Sequence, residues 1–153
     1  MGIIVRRATE GEADAIVGLA RALHTALQLD WMAPFDEPHS RALVAAALHD
    51  ADKAAFVACA DDEIVGFLLG FTLPVWFSST ERYAQELGYW VDPAHRRDGA
   101  GAALASAFEA WAKDQGLRTA ALSRSGSYQR RKLTAFCLSR GYRESSVIYV
   151  KEV

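Results

Sequence analysis

Cysteine is scarce in this chain of 153 residues: only Cys59 and Cys137 occur, neither in a CxxC pair nor beside a histidine at ligand spacing. That argues against a disulfide framework and a thiolate metal site, and suits free thiols in a reducing cytoplasm. Proline is sparse too, at four. No biased tract or internal repeat interrupts the sequence, so nothing marks a linker. No apolar run approaches the roughly 18 residues that cross a bilayer. Charges at Arg6 and Arg7 follow a very short apolar start, unlike a signal peptide. The expectation is one domain over residues 1–153, cytoplasmic, with no membrane partner and no metal.

The formal net charge is only -2, but it is unevenly placed. Residues 1–115 carry a balance of -8 and residues 116–153 a balance of +6. A mostly acidic chain speaks against a dedicated nucleic-acid binder. Arg124, Arg130, Arg131 and Lys132 in the basic quarter would be the footprint of any RNA-directed variant. They could equally serve a phosphorylated ligand or form a solvated surface.

The informative stretch runs from Glu86 to Gly116. Leu87 to Val91 is apolar and aromatic enough for a strand, and Asp92-Pro93 stops it. Arg96-Arg97-Asp98-Gly99-Ala100-Gly101 then leads into an Ala-rich run with Leu104, Ala107, Phe108 and Trp111 on one helical face. Gly116 is placed to end that helix. The first turn of a helix leaves N–H groups unpaired at the positive end of its dipole. Glycines at 99 and 101 would let an anion approach that backbone. A Gly-x-Gly turn without any ligand is the plain alternative.

Val91-x-Pro93-x-x-Arg96-x-x-Gly99-x-Gly101-x-x-Leu104 resembles the acetyl-CoA signature of the GNAT N-acetyltransferase superfamily, with strand, proline, arginine and both glycines in register. Phe136-Cys137-Leu138-Ser139-Arg140-Gly141-Tyr142 resembles that family's late motif, except that Cys137 stands where the family usually has a tyrosine. The resemblance implies acetyl-CoA as co-substrate and a small-molecule or protein amine as acceptor. It also implies a domain type that often forms homodimers. By the same resemblance the cofactor contacts are Tyr89, Trp90, Val91, Arg96, Arg97, Gly99, Ala100, Gly101, Ala102 and Phe136. A dinucleotide-binding domain fits poorly, because Leu104 stands where a third glycine belongs.

Taken in order, Ile3 to Arg7 reads as a strand, and Thr9 to Glu12 as a capping box opening a helix that buries Ile16, Leu19, Leu23 and Leu27. Asp30 to Pro38 is an aromatic, acidic loop, and His39 to His49 a second helix. Trp31 and Phe35 in that loop could pack on the core, or could join Asp30, Asp36 and Glu37 as a wall for a cationic acceptor. Ala54–Ala60 and Ile64–Leu73 read as a hairpin, and Pro74–Arg82 as a loop carrying Trp76 and Phe77. Arg118–Ser123 is a further strand, Tyr128–Arg140 a helix, and Tyr142 onward, ending Val147-Ile148-Tyr149-Val150, a final strand or pair of strands. The order β-α-α-β-β-β-α-β-α-β implies a mixed α/β (α+β) sheet with helices on both faces; it coincides with the GNAT order, and the resemblance implies that the central sheet is mostly antiparallel.

Acyl transfer to an amine needs a proton acceptor, because an alkylammonium has a pKa of about 10.4. Glu86, at the start of the central strand, is the candidate base; a solvated strand-end carboxylate is the alternative. With Cys137 in the tyrosine position, Tyr128, at the start of the helix expected there, is the candidate hydroxyl to protonate the leaving thiolate. The competing functional class is a non-catalytic acyl-CoA-binding module that keeps the fold and has lost the acid.

Overall fold

The computed structural model describes residues 2–153. Strand β1 (Ile3–Arg7) leads through a 3-10 turn at Glu10–Glu12 into helix α1 (Ala13–Ala26). The capping box is present: the Glu12 carboxylate accepts the Thr9 N–H at 2.8 Å. Arg6 grips the same carboxylate, and that hydrogen-bonded guanidinium lowers the Glu12 pKa to about 2. Helix α2 (Glu37–His49) begins two residues earlier than predicted, because Asp36 caps it by accepting the His39 N–H at 2.9 Å and Pro38 suits its first turn.

Strands β2 (Lys53–Ala60), β3 (Glu63–Pro74), β4 (Arg82–Val91) and β5 (Ala120–Ala121) complete a sheet in the order β1-β2-β3-β4-β5. All neighbours are antiparallel except β4 and β5, which are parallel. Helix α3 (Ala100–Asp114) joins those two, and α4 (Arg130–Ser139) follows β5. Central strands covered on both faces read as continuous apolar runs. Along β2, Ala54, Phe56 and Ala58 face α3 with Leu104, Phe108 and Trp111, whereas Ala55, Val57 and Cys59 face α1 and α2 with Ile16, Val17 and Val44.

Helix α3 ends in a Schellman turn. Gly116 takes φ +74°, its N–H bonds the Lys113 carbonyl at 2.9 Å, and the Leu117 N–H bonds that of Ala112 at 3.1 Å. Helix α4 is tied to α3 through Glu109, whose carboxylate accepts from Arg140 at 2.8 Å and from Tyr142 at 3.0 Å. Among the described residues no helix is long and apolar enough to cross a membrane.

Four sequence expectations shift. The central strand starts at Arg82 rather than near Glu86, since its hairpin with β3 continues to Pro74↔Arg82. The strand expected at Arg118–Ser123 shrinks to Ala120–Ala121, because only Ala84 and Gln85 of β4 pair with it. Helix α4 starts at Arg130, with Tyr128 in the preceding turn. The final strand or pair expected from Tyr142 onward is absent: residues 142–153 form no element, and every residue from Arg143 onward is exposed. Its alternation is strand-like, but a strand exists only by pairing, and no ladder engages it.

Candidate active site

The site is built around an irregularity in β4. Leu69 pairs with Gly88 and Gly70 with Glu86, so Leu87 is an extra residue bulged out of the ladder. A bulge bends its strand and raises the local twist. On its other side β4 pairs with β5 only at Ala84 and Gln85. From Glu86 to Val91 that edge of β4 therefore has no strand beside it.

Glu86 stands where the two parallel strands part. It is 7% exposed, and its carboxylate accepts the Ser123 N–H from across the gap at 3.0 Å. Gln85 reinforces the junction, its side-chain amide donating to the Glu86 carbonyl at 2.8 Å and to the Ser123 hydroxyl at 3.1 Å. Burial pushes the Glu86 carboxyl up to about 7, with the Ser123 hydrogen bond only partly offsetting the desolvation. Its cross-strand partner Gly70 lies against Phe108 and Trp111 of α3, so Glu86 projects from the α3 face. The Cys137 thiol, half-buried and raised by burial, lies within electrostatic reach of Glu86.

Beyond the open edge, Asp92 caps a 3-10 turn at Pro93–His95 by accepting the Ala94 N–H at 2.9 Å. Gly99, at φ +85°, then turns the chain into α3. Residues with a side chain adopt that conformation only under strain, and a Cβ at 99 would meet open space, so this glycine is required by conformation. The first N–H bonded within α3 is that of Ala103, to the Gly99 carbonyl, which leaves the amides of Gly99, Ala100, Gly101 and Ala102 without an acceptor among the described residues. A cluster of free N–H groups at a helix start fits a phosphate.

Gly101 is there for a second reason. The Tyr89 hydroxyl donates to the Gly101 carbonyl, and a Cβ at 101 would lie 3.1 Å from that oxygen. The phenol, pushed well above its ordinary range by burial, is thus tucked under the first turn of α3 and pins the turn to β4. Arg96 is also committed. Its Nε donates to the Val91 carbonyl at 3.0 Å, its Nη1 to the Tyr128 hydroxyl at 2.8 Å, and its guanidinium lies 4.5 Å from the centroid of the Trp90 ring. Trp90 and Tyr128 stack obliquely, with centroids 5.8 Å apart. Arg97 is exposed at the same turn, and Phe136 is half-buried on α4 beneath the Arg140 guanidinium.

Val91 and Ala100 are buried and anchor the strand and the helix start. The structure thus gathers Tyr89, Trp90, Val91, Arg96, Gly99, Ala100, Gly101 and Tyr128 around one strand-turn-helix unit. Tyr128 packs with the α1/α2 core, on the face opposite Glu86. The bridge from Gln85 and Glu86 to Ser123 is absent from the sequence reading; the bulge before Gly88 is its only local signal, since pairing across 37 residues leaves no periodic trace.

The acidic loop is partly accounted for by structure. Asp36 is a helix cap, Glu37 pairs with Arg21 and Arg41, and Phe35 packs against His24 under Arg21. Trp31 remains half-exposed, Asp30 is exposed with only His24 at 3.9 Å, and Trp76 and Phe77 are exposed in the β3–β4 loop.

The sequence profile of the acetyltransferase (GNAT) family matches residues 20–142. No curated protein sequence matches significantly. Among solved structures, a transcriptional regulator from Bacillus halodurans C-125 superposes with a TM-score of 0.78 at 22% identity, over 99% of each chain. AAC(6')-Iy in complex with the bisubstrate analog CoA-S-monomethyl-acetylneamine superposes at 0.76 and 18% identity, over 100% of this chain and 99% of that one. Ribosomal-protein-alanine N-acetyltransferase from Brucella melitensis biovar Abortus 2308 does so at 0.74 and 19%, over 100% of both. At such identities the likeness is one of fold.

Proposed function

The chain belongs to the acetyltransferase (GNAT) family, and from that premise we propose that it is a single-domain, acetyl-CoA-dependent N-acetyltransferase moving acetyl directly to a primary amine in a ternary complex. One observation carries the reading: an unpaired strand edge, Glu86 to Val91, runs into a helix start whose amides have no acceptor among the described residues. An extended chain of amides ending in a pyrophosphate needs both features, in that order.

The amides of Gly99 to Ala102, with Arg97 beside them, would hold the pyrophosphate, and the β4 edge from Tyr89 to Val91 the pantetheine. Phe136 lines the α4 side. Arg96 contributes by bracing Val91, Trp90 and Tyr128 rather than by reaching outward. Bound there, acetyl-CoA supplies an acyl carbon open to a nitrogen nucleophile and a sulfur able to leave. Glu86, tuned to about 7, takes up the proton that the amine sheds, through the gap between β4 and β5. Tyr128 delivers a proton to the departing sulfur: its oxygen already accepts from Arg96, which leaves its own hydrogen free to donate. Backbone N–H groups along the open edge stabilise the oxyanion.

The acceptor site is formed from the exposed Trp31 and Asp30 after α1 and the exposed Trp76 and Phe77 of the β3–β4 loop, which offer aromatic faces and a carboxylate to a cation. AAC(6')-Iy crystallised with an acetylneamine bisubstrate analog supports small polyamines as the first class to try, and the alanine acetyltransferase supports peptide amino termini as the second. The test is release of free CoA thiol across both classes of amine. Turnover dependent on amine and acetyl-CoA together is expected. Tight CoA binding with no turnover on any amine would leave the non-catalytic acyl-CoA-binding module instead.

A further inference from the structure

The parallel pairing of β4 with β5 ends in an exchange of partners. Gln85 is the last residue of β4 to pair, opposite Ala121. The Ala84 N–H donates to the Thr119 carbonyl at 3.0 Å; continued through Glu86 in that register, a parallel ladder would bring the Ser123 N–H to the Glu86 carbonyl. Both groups have other partners here. The Ser123 N–H donates to the Glu86 carboxylate at 3.0 Å, and the Glu86 carbonyl accepts from the Gln85 side-chain amide at 2.8 Å. The same amide nitrogen reaches the Ser123 hydroxyl at 3.1 Å, so each of its two hydrogens has an acceptor. Turned over, the amide would set its oxygen against the Glu86 carbonyl.

We infer that Gln85 is a positioning residue for the proton acceptor: by occupying the Glu86 carbonyl and tethering the Ser123 hydroxyl, it turns the Ser123 N–H from the backbone onto the Glu86 carboxylate. The inference rests on Glu86 as the base proposed above. Without Gln85 the Glu86 carbonyl is free to take the Ser123 N–H back into the ladder, and the carboxylate loses a donor to its charged form. Burial raises the Glu86 carboxyl and hydrogen bonding from Ser123 draws it part of the way back, so the clamp holds the group more acidic than burial alone would. The ionisable groups near Glu86 are Tyr89 on its own strand and Cys137 on α4, each kept neutral at pH 7 by burial. Arg124 and Arg140 act on Cys137 from beyond it, and α3 presents the uncharged Phe108 and Trp111. The Ser123 hydrogen bond is therefore the influence on Glu86 that Gln85 commands.

The test follows the Glu86 side-chain carboxyl of the full chain by carbon NMR from about pH 4 to about pH 10, in wild type, Gln85→Leu and Ser123→Ala, with Glu86→Gln identifying the signal. The wild-type carboxyl should titrate at about 7. Gln85→Leu should move that midpoint upward. Ser123→Ala keeps the N–H but frees it from the Gln85 tether, and should move the midpoint the same way by less. The rise of kcat/KM for the amine with pH should follow the midpoint, with the KM for acetyl-CoA unchanged; a one-unit displacement lowers kcat/KM at pH 7 about fivefold. A purely structural role for Gln85 would lower the melting temperature and leave the midpoint in place. A midpoint at or below the wild-type value in Gln85→Leu, or in Ser123→Ala should that variant alone fold, overturns the inference. If the pH-dependent rise survives Glu86→Gln, the base reading fails instead, and the carboxyl midpoint still decides whether Gln85 governs Glu86.

Discussion

The missing side chain at position 101 makes room for a phenol. Tyr89 hydrogen-bonds the Gly101 carbonyl from a position where a Cβ would lie 3.1 Å from its oxygen. Gly101→Ala should therefore be costly with Tyr89 present and much less so in Tyr89→Phe, where the usual preference of helices for alanine reasserts itself. A double-mutant cycle read by urea unfolding should give a coupling of about 0.5–3 kcal/mol; additive costs would contradict the contact. Glu86 makes a second residue-scale prediction. Its folded pKa is raised from 4.5 to about 7, so between those pH values the folded state holds the extra proton and stability falls as pH rises through the window. Glu86→Gln keeps an acceptor for the Ser123 N–H and loses the charge. It should flatten that slope and gain stability at pH 8, by up to about 3 kcal/mol before solvent relaxation is discounted. In the same variant the rise of kcat/KM through about pH 7 should vanish, with a loss of roughly 100-fold or more. An unchanged pH profile would remove Glu86 from the proton path. At this scale the sequence displays both glycines but not their separate reasons. Gly99 answers to a backbone angle, whereas Gly101 answers to a tyrosine twelve residues earlier, a relation that spacing alone does not carry.

At the scale of elements, the parts that depend on local pattern are readable. The hairpin of β2 and β3, the apolar face of α3 and the glycine stop at Gly116 follow from periodicity and a left-handed cap. What requires a partner is not. The run from Arg118 to Ser123 reads as a strand from its composition, yet only two of its residues pair with β4, and beyond them the Glu86 carboxylate, beside the bulge at Leu87, takes the Ser123 N–H in place of a backbone partner. The 147–150 segment reads as a strand for the same compositional reason and forms no ladder among the described residues. The packing of α3 on the sheet gives the prediction proper to this scale. A Cβ at Gly70 would come 2.8 Å from Phe108 Cε2, in the core beside the bulge. Gly70→Ala should destabilise by about 1–3 kcal/mol at unchanged denaturant slope. A neutral effect would show that α3 is loosely seated.

For the whole molecule, the sequence joins an acidic body to a basic C-terminal quarter, and the open edge of β4 runs between β3 and the start of that quarter at β5. Family membership rests on residues 20–142, and the central claim is that this edge and the α3 amides receive a coenzyme A thioester. A thermal-shift titration of the full chain with acetyl-CoA, CoA and NAD in parallel tests it most directly. A ligand at about 100 times its dissociation constant adds about 2.7 kcal/mol, or roughly 5–11 °C in melting temperature for a chain of this size. Acetyl-CoA and CoA should both raise the midpoint by that order, with no response to NAD. No response to either CoA form at millimolar concentration, or an equal response to NAD, would contradict the claim.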